Sequence, residues 1–343
     1  IYTVKDTLSL HDALPICPNL AELLDLVALG TVADVVTLDH NNRILVEQGL
    51  RRIRAGRACP GILALLRVAG RDPKRAHADD LAFAVGPRLN AAGRLEDMVQ
   101  GIECLLAQDA AQAQTLAARL DALNRERREL QTRMQDEALL ALTEGAARPA
   151  QAGVCLYDPS WHQGIVGLVA ARVRERIHRP VIAFAPGADT EEIKGSARSI
   201  PGVHIRDLIA RVATERPDLV TRFGGHAMAA GLSLPVGHFE DFATAFNRHA
   251  EASIPPSLLE GLIESDGELE PLFMTLDSAW QIRAGGPWGA GFPAPCFDGW
   301  FEILGRRWVG HGHLKLDVRP QGGNATLTAM AFNSEPADWS DEA

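Results

Sequence analysis

A stretch of about 35 residues starting at Asp109 constrains this chain more than any other feature, because it reads as one uninterrupted helix. Asp109 and Gln112 have the spacing of a capping box. Leu116, Leu120, Leu123, Leu130 and Met134 then recur on one face. At 1.5 Å per residue the helix is about 50 Å long, which predicts a connecting helix over 109–148, closed by Gly145, Arg148 and Pro149.

Residues 18–108, ahead of it, are also helical in pattern, with apolar positions three and four apart at Leu23, Leu24, Val27 and Ala28 and again at Ile44, Leu45, Leu50 and Ile53. From residue 153 the period changes. Val154 to Tyr157 and Val181 to Phe184 are short strand-like runs flanking a helical stretch from Gly164 to Ile177, an alternating α/β unit. With helices near 204–213 and 238–250 this predicts an α/β domain over 149–252. After Pro255-Pro256, short apolar runs separated by Gly and Pro carry Trp300, Phe301, Trp308, Leu314 and Leu316, so a small β-barrel or sandwich is expected over 253–343. The fold class is therefore α/β and multidomain.

Hydrophobic content of 46% and 23% charge are ordinary for a soluble globular protein, and no run approaches 18 uncharged apolar residues, so no membrane role is expected. Five scattered cysteines without a C-x-x-C spacing argue against a disulfide framework and a zinc site, and for a reducing, cytoplasmic setting. The net charge of −10 is local: residues 251–343 hold 14 acidic against 5 basic residues, which leaves residues 1–250 at −1. Two basic clusters, Arg51-Arg52-Arg54-Arg57 and Arg125-Arg127-Arg128, read as solvated helix faces, a small basic groove being the alternative.

Two stretches point to anion chemistry: Lys194-Gly195-Ser196-Ala197-Arg198-Ser199 and Gly224-Gly225-His226 through Gly231. A phosphate needs several donors at close range, and glycine lets main-chain amides approach it. Ser196 adds a hydroxyl, Arg198 binds bidentately, and His226 can donate a proton or a hydrogen bond. Glycine pairs also arise at turns and strand ends, but both stretches fall in one domain. Asp34 lies in an apolar run where an unpaired buried carboxylate would be costly, so it needs a metal ion, an arginine or a free helix N-terminus, whereas Asp25 is expected to face solvent. Arg88, Asn90 and Arg94 surround small residues that would admit an anion. His162, just ahead of a helix, reads equally as an anion contact and as a turn histidine. The glycine-rich run Gly285–Gly291 lacks the ending of a nucleotide loop and reads as a connection.

Taken in order, Gly30-Thr31-Val32-Ala33-Asp34, Arg88-Leu89-Asn90-Ala91-Ala92-Gly93-Arg94, Trp161-His162-Gln163-Gly164, Gly195-Ser196-Ala197-Arg198-Ser199 and Gly224-Gly225-His226 resemble the DHH phosphoesterase family, and within it the exonucleases specific for single-stranded DNA. The resemblance runs from about residue 18 to the end, with Pro287-Trp288-Gly289 to Pro293-Ala294-Pro295 similar to the start of the family's oligonucleotide-binding barrel. It implies a 5′ to 3′ exonuclease of DNA repair and recombination that releases 5′-mononucleotides. Asp34 would be the last aspartate of a two-metal site holding Mn2+ or Mg2+. Arg88, Asn90, Arg94, His162, Ser196, Arg198, Gly224, Gly225 and His226 would hold the 5′ end of single-stranded DNA. Helicase or single-strand-binding protein partners go with that role. The corresponding domains are a partial DHH domain (18–108), the connecting helix, a DHH-associated α/β domain (149–252) and an OB-like barrel.

The family's Asp-rich loop and Asp-His-His motif, which precede the Asp34 segment, do not occur in residues 1–343. Residues Tyr2 to Ile16 look like a translated adapter, so residues 1–17 are expected to be a non-native leader on a truncated frame. Binding of DNA ends without cutting is the corresponding expectation. Two other readings stand beside it: a DHH phosphoesterase of short oligonucleotides or cyclic dinucleotides, which needs no barrel, and a non-catalytic scaffold that binds single-stranded DNA.

Overall fold

A computed structural model describes residues 19–144, 151–188, 191–310, 312–332, 334 and 339. The expected leader, the residues closing the long helix and most of the last ten residues lie outside these. The chain forms two compact units, one of residues 1–52, 77–81 and 263–343 and the other of residues 53–76 and 82–262.

In the second unit the long helix runs from Ala110 to Glu144, 35 residues, as its periodicity predicts. Its first turn is capped by Asp109, whose carboxylate accepts from the Gln112 amide at 2.9 Å. Helices Pro60–Val68, Gly86–Leu95 and Val99–Leu106 pack against it. Ala113, Ala117 and Leu120 form the buried stripe nearest its start, and small alanines there let the neighbouring helices come close.

Beyond the helix lies a five-stranded sheet in the order β1-β2-β3-β5-β4: β1 (Val154–Tyr157), β2 (Val181–Pro186), β3 (Glu192–Arg198), β4 (Arg222–Gly225) and β5 (Ala229–Pro235). The first pair is parallel and the rest antiparallel. Strand β2 alternates its burial partners as an extended chain must. Val181, Ala183 and Ala185 meet the helix Val166–Ile177 together with Met134 and Ala138 of the long helix. Ile182 and Phe184 meet the helices Ile205–Glu215 and Phe239–Ser253 on the other face. The expected β1-helix-β2 unit is present; strands β3 to β5, which carry both glycine stretches, are its extension.

In the first unit the helix Leu24–Ala33 corrects the reading of its two aspartates. Asp25 is 1% exposed, not solvent-facing. It sits in the first helical turn, where free amides and the positive end of the helix dipole stabilise a carboxylate. Asp34 is exposed, at the C-cap. The helix ends there in a Schellman arrangement, the Val35 amide donating to Val32 O at 3.2 Å and the Val36 amide to Thr31 O at 3.0 Å. That motif puts Val35 at φ 55°, a left-handed conformation that is costly for a β-branched residue. Val35→Gly is therefore expected to raise stability by about 1 kcal/mol, with chain entropy offsetting part of the relieved strain. Denaturant unfolding of the two chains measures it, and an unchanged midpoint would refute it.

The C-terminal strands β6 (Phe301–Val309), β7 (His313–Pro320) and β8 (Leu327–Ala331) form one antiparallel sheet with Leu314, Leu316 and Val318 buried. Among the described residues the expected β region has these three strands in one sheet and an isolated parallel bridge between Glu268 and Asp298. The Leu38 amide donates to Ala290 O at 2.7 Å, and Arg43 lies 3.7 Å from the centre of the Phe292 ring. The Gly285–Gly291 run is thus a connection held against the segment that follows Asp34.

Candidate phosphate-binding site

The register of β3, β5 and β4 sets three rows across one face of the sheet. Lys194 pairs with Ser233 and Ser233 with Arg222; Ser196 pairs with Gly231 and Gly231 with Gly224. In the third row Arg198 pairs with Ala229, whose carbonyl accepts the His226 amide at 2.8 Å. Side chains two apart on a strand share a face, so Lys194, Ser196 and Arg198 stand together on the side of the helix Val166–Ile177. A Cβ at Gly167 of that helix would lie 2.8 Å from both Arg198 Nη2 and Ser196 Oγ. Arg198 donates from Nη1 to Ser196 Oγ at 3.0 Å and to its neighbour Ala197 O at 2.9 Å.

A groove of about 420 Å³ opens over the first two rows, lined by Gln163, Lys194, Ser196, Arg222, Gly224 and Ser233 among others. Cβ atoms built at Gly224 and Gly231 would meet, respectively, nothing within 4 Å and only one carbonyl oxygen at 3.9 Å. The floor is bare backbone. Gly225 serves the hairpin instead: its φ is 143°, and a Cβ there would lie 2.5 Å from Ala229 O.

Arginines surround the Arg198 end of this face, and of these Arg172 and Arg174 share Glu175 as an ion-pair partner. Burial pulls Arg198 below the usual guanidinium range, and repulsion from Arg94 and Arg174 adds to it. Burial also lowers Arg94. Arg127, on the long helix, falls to about 10 through burial and the neighbouring charges of Arg128, Arg94 and Arg172. Among the described residues none of Arg94, Arg127 and Arg198 has a carboxylate within ion-pair distance. Such packed like charges are costly unless an anion joins them.

The remaining sequence candidates fall in different places. Arg88 is buried and held by Asp121, at 2.7 Å from Nη2, and by Ala84 O, at 2.7 Å from Nη1. Asn90 is exposed on the same helix. His162 accepts the Gly164 amide on Nδ1 at 3.1 Å, the geometry of a turn histidine. The adjacent Trp161 ties that turn to the long helix by donating to Glu137 Oε2 at 2.9 Å. The turn packs on Arg94, whose carbonyl would be 2.2 Å from a Cβ at Gly164. Sequence reasoning missed Arg127, taken for a solvated residue, and Arg222. The alternation Lys194-x-Ser196-x-Arg198 was the available signal for a basic strand face; nothing in a helical arginine cluster marks which member turns inward.

Asp34 belongs to the other compact unit. It is an exposed carboxylate at a helix C-terminus, where the carbonyl ends favour a cation. Among the described residues no group of three His, Cys, Asp or Glu side chains could hold a metal ion. One carboxylate is short of the oxygen ligands that Mg2+ or Mn2+ takes, so the residues present do not make up the implied two-metal centre.

Comparison with known proteins bears on what this arrangement belongs to. Residues 150–252 match the DHHA1 domain and residues 265–342 the RecJ OB domain. The single-stranded-DNA-specific exonuclease RecJ of Escherichia coli is 54% identical over 94% of this chain. The chain is similar to RecJ over nearly its whole length. RecJ of Salmonella typhimurium is 53% identical over the same share, and the chain spans 56% of the length of each of these two relatives. A crystal structure of Thermus thermophilus RecJ in complex with Mg2+ superposes with a TM-score of 0.75 at 32% identity, covering 94% of this chain and 48% of that one. The same Thermus protein has also been solved with Mn2+. Among the described residues no helix is long and apolar enough to cross a membrane.

Proposed function

We propose that this chain is part of a 5′ to 3′ single-stranded-DNA exonuclease of DNA repair and recombination, and that its α/β domain grips the phosphate at the 5′ end of the strand. The observation that carries this is Arg198 bonded to the Ser196 hydroxyl, with Arg94 as its neighbour and Arg127 as the neighbour of Arg94, none of the three with a carboxylate within ion-pair distance among the described residues. Arg198 and Ser196 would orient the terminal phosphate, Arg94 and Arg127 would balance its charge, and Gly224, Gly225 and His226 would border the entering strand. Arg88 acts by holding the helix Gly86–Leu95 against the long helix, with Asn90 and Arg94 carried on it; His162 holds the turn that abuts Arg94. Similarity to the RecJ exonucleases and the RecJ OB domain match support a polymeric DNA substrate over a short oligonucleotide or cyclic dinucleotide. A cytoplasmic setting and helicase or single-strand-binding partners belong to the same proposal.

Mn2+ or Mg2+ would supply water activation and leaving-group stabilisation in the whole enzyme. Asp34 would be one of their ligands. Accordingly this chain is expected to bind a 5′-phosphorylated single strand more tightly than the same strand with a 5′-hydroxyl and to leave both intact when Mn2+ is added. Fluorescence anisotropy and a denaturing gel read the two parts. Equal affinity for the two ends would remove the phosphate grip, and rapid release of mononucleotides would show that the chain assembles a catalytic centre after all.

A further inference from the structure

The row Lys194–Ser233–Arg222 lies one strand step past Ser196, on the side opposite Arg198 and His226. A strand that enters by His226 reaches the Ser196–Arg198 grip first, so this row lies beyond its terminal phosphate, and its first phosphodiester stays on the other side. Lys194 is half-buried and Arg222 exposed, and neither has a carboxylate within ion-pair distance among the described residues. Between them Ser233 is 8% exposed, and its hydroxyl makes no hydrogen bond among the described residues. All three line the same groove as Ser196 and Gly224. Gln163 and Val166 bring to that groove the start of the helix Val166–Ile177, whose first turn has no side-chain cap, and such a turn favours an anion.

We propose that Lys194, Ser233 and Arg222 form a subsite for the outer phosphates of a 5′-polyphosphate whose first phosphate occupies the Ser196–Arg198 grip. This rests on the reading of Ser196 and Arg198 as that grip. A cation at each end of the row and a hydroxyl between them suit an end phosphate, which presents charged oxygens on several sides. The two rows are joined by the bare floor at Gly224 and Gly231, and a phosphoanhydride chain carries neither sugar nor base between its phosphates. The strand step between the rows is about 6.8 Å, longer than one P–O–P link, so a triphosphate spans it better than a diphosphate. Glu192, the next residue on this face of β3, ends the basic run and disfavours any longer chain. The scissile phosphodiester leaves the first phosphate in the opposite direction, so subsite and metal centre do not compete. The exonuclease could then start on an end that has not first been trimmed to a monophosphate.

The test titrates the full chain, without divalent metal, with thymidine and its 5′-mono-, di- and triphosphates. Wild type should bind the triphosphate at least about tenfold more tightly than the monophosphate, the gain expected of one hydrogen-bonded charged group. Lys194→Gln/Arg222→Gln should abolish that gain and keep the monophosphate within about threefold at about 0.15 M salt, where screening limits the reach of the lost charges. Ser233→Ala, which removes no charge, should weaken the triphosphate about fivefold and leave the monophosphate alone. Equal wild-type affinity for tri- and monophosphate would overturn the subsite, as would an equal loss of both in the double variant. An unaffected Ser233→Ala would reduce the row to general attraction and overturn it too. A 5′-triphosphorylated single strand beside its 5′-monophosphorylated form identifies the source: the same gain assigns the subsite to strand ends, and a gain confined to the free nucleotide assigns it to that. Failure of the underlying grip looks different, since wild type would then bind thymidine and its monophosphate equally. Thermal melting of the variants confirms that they are folded.

Discussion

Replacing Arg198 by alanine is expected to weaken binding of a 5′-phosphorylated single strand by about 10- to 150-fold, and to leave a 5′-hydroxyl strand nearly unchanged. The range follows from about 1.5–3 kcal/mol for a hydrogen bond to a charged group, converted at about 1.4 kcal/mol per factor of ten. The upper half is favoured because Arg198 is half-buried, so its charge is screened less than at the surface, and because Arg94 and Arg174 repel it until an anion arrives. Arg198→Lys should recover only part of the loss, since an ammonium cannot reproduce the planar two-point contact. The preference for the phosphate should also be pH-bounded. A phosphate monoester takes up a proton below a pKa of about 6, which weakens the preference on the acid side. On the basic side Arg127, lowered to about 10 by burial and by Arg128, Arg94 and Arg172, loses its proton and with it part of the positive field. Because a bound anion favours the charged guanidinium, binding falls as pH rises through about 10. Anisotropy titrations of both strands across this window decide the matter. A 5′-hydroxyl strand that loses as much affinity as the phosphorylated one would mean that Arg198 reads the DNA elsewhere.

Periodicity made the helices and the first two strands legible, and the reason is physical. The long helix announces itself because five apolar side chains return to one face between Leu116 and Met134, β2 because its apolar run is buried on both faces and needs no alternation, and β1 because Val154 and Leu156 stand in a short apolar run. What a linear pattern does not carry is direction. Asp25 and Asp34 sit nine residues apart in one apolar stretch, and only the position of each relative to the helix ends decides that the first is enclosed and the second exposed. Likewise Arg125, Arg127 and Arg128 are indistinguishable in sequence. Arg125 pairs with Asp121 one turn away, while Arg127 turns toward Arg94 and Arg172. The residues that read an anion are therefore partly visible, as the alternating Lys194, Ser196 and Arg198, and partly contributed by a helix whose own pattern is silent.

Gly195 sharpens that point and leads to the second large effect. Within the anion-like stretch it was expected to expose its amide to a ligand; it is buried, its backbone borders the groove, and the direction a side chain would take points to the opposite face. A Cβ there would lie 2.5 Å from the Phe184 ring and 2.7 Å from Leu232 Cδ2. The glycine exists so that Phe184 can lie under β3. That ring is fully buried and meets Phe239 and Phe242 edge-on at 5.6 and 5.9 Å. Phe184→Ala is thus expected to cost about 3–5 kcal/mol, the transfer and cavity terms together. The loss should also reach the site, because the ring supports the strand that holds Ser196 and Arg198 on the opposite face. Gly195→Ala alone should cost about 1–3 kcal/mol by overpacking. Combined with Phe184→Ala, however, the new methyl enters the vacated space, so the double variant should be more stable than Phe184→Ala alone. Urea unfolding of the four chains gives the coupling directly. Additive losses would mean that Phe184 and Gly195 do not share a packing constraint, and that the glycine is kept for something on the groove side of the strand.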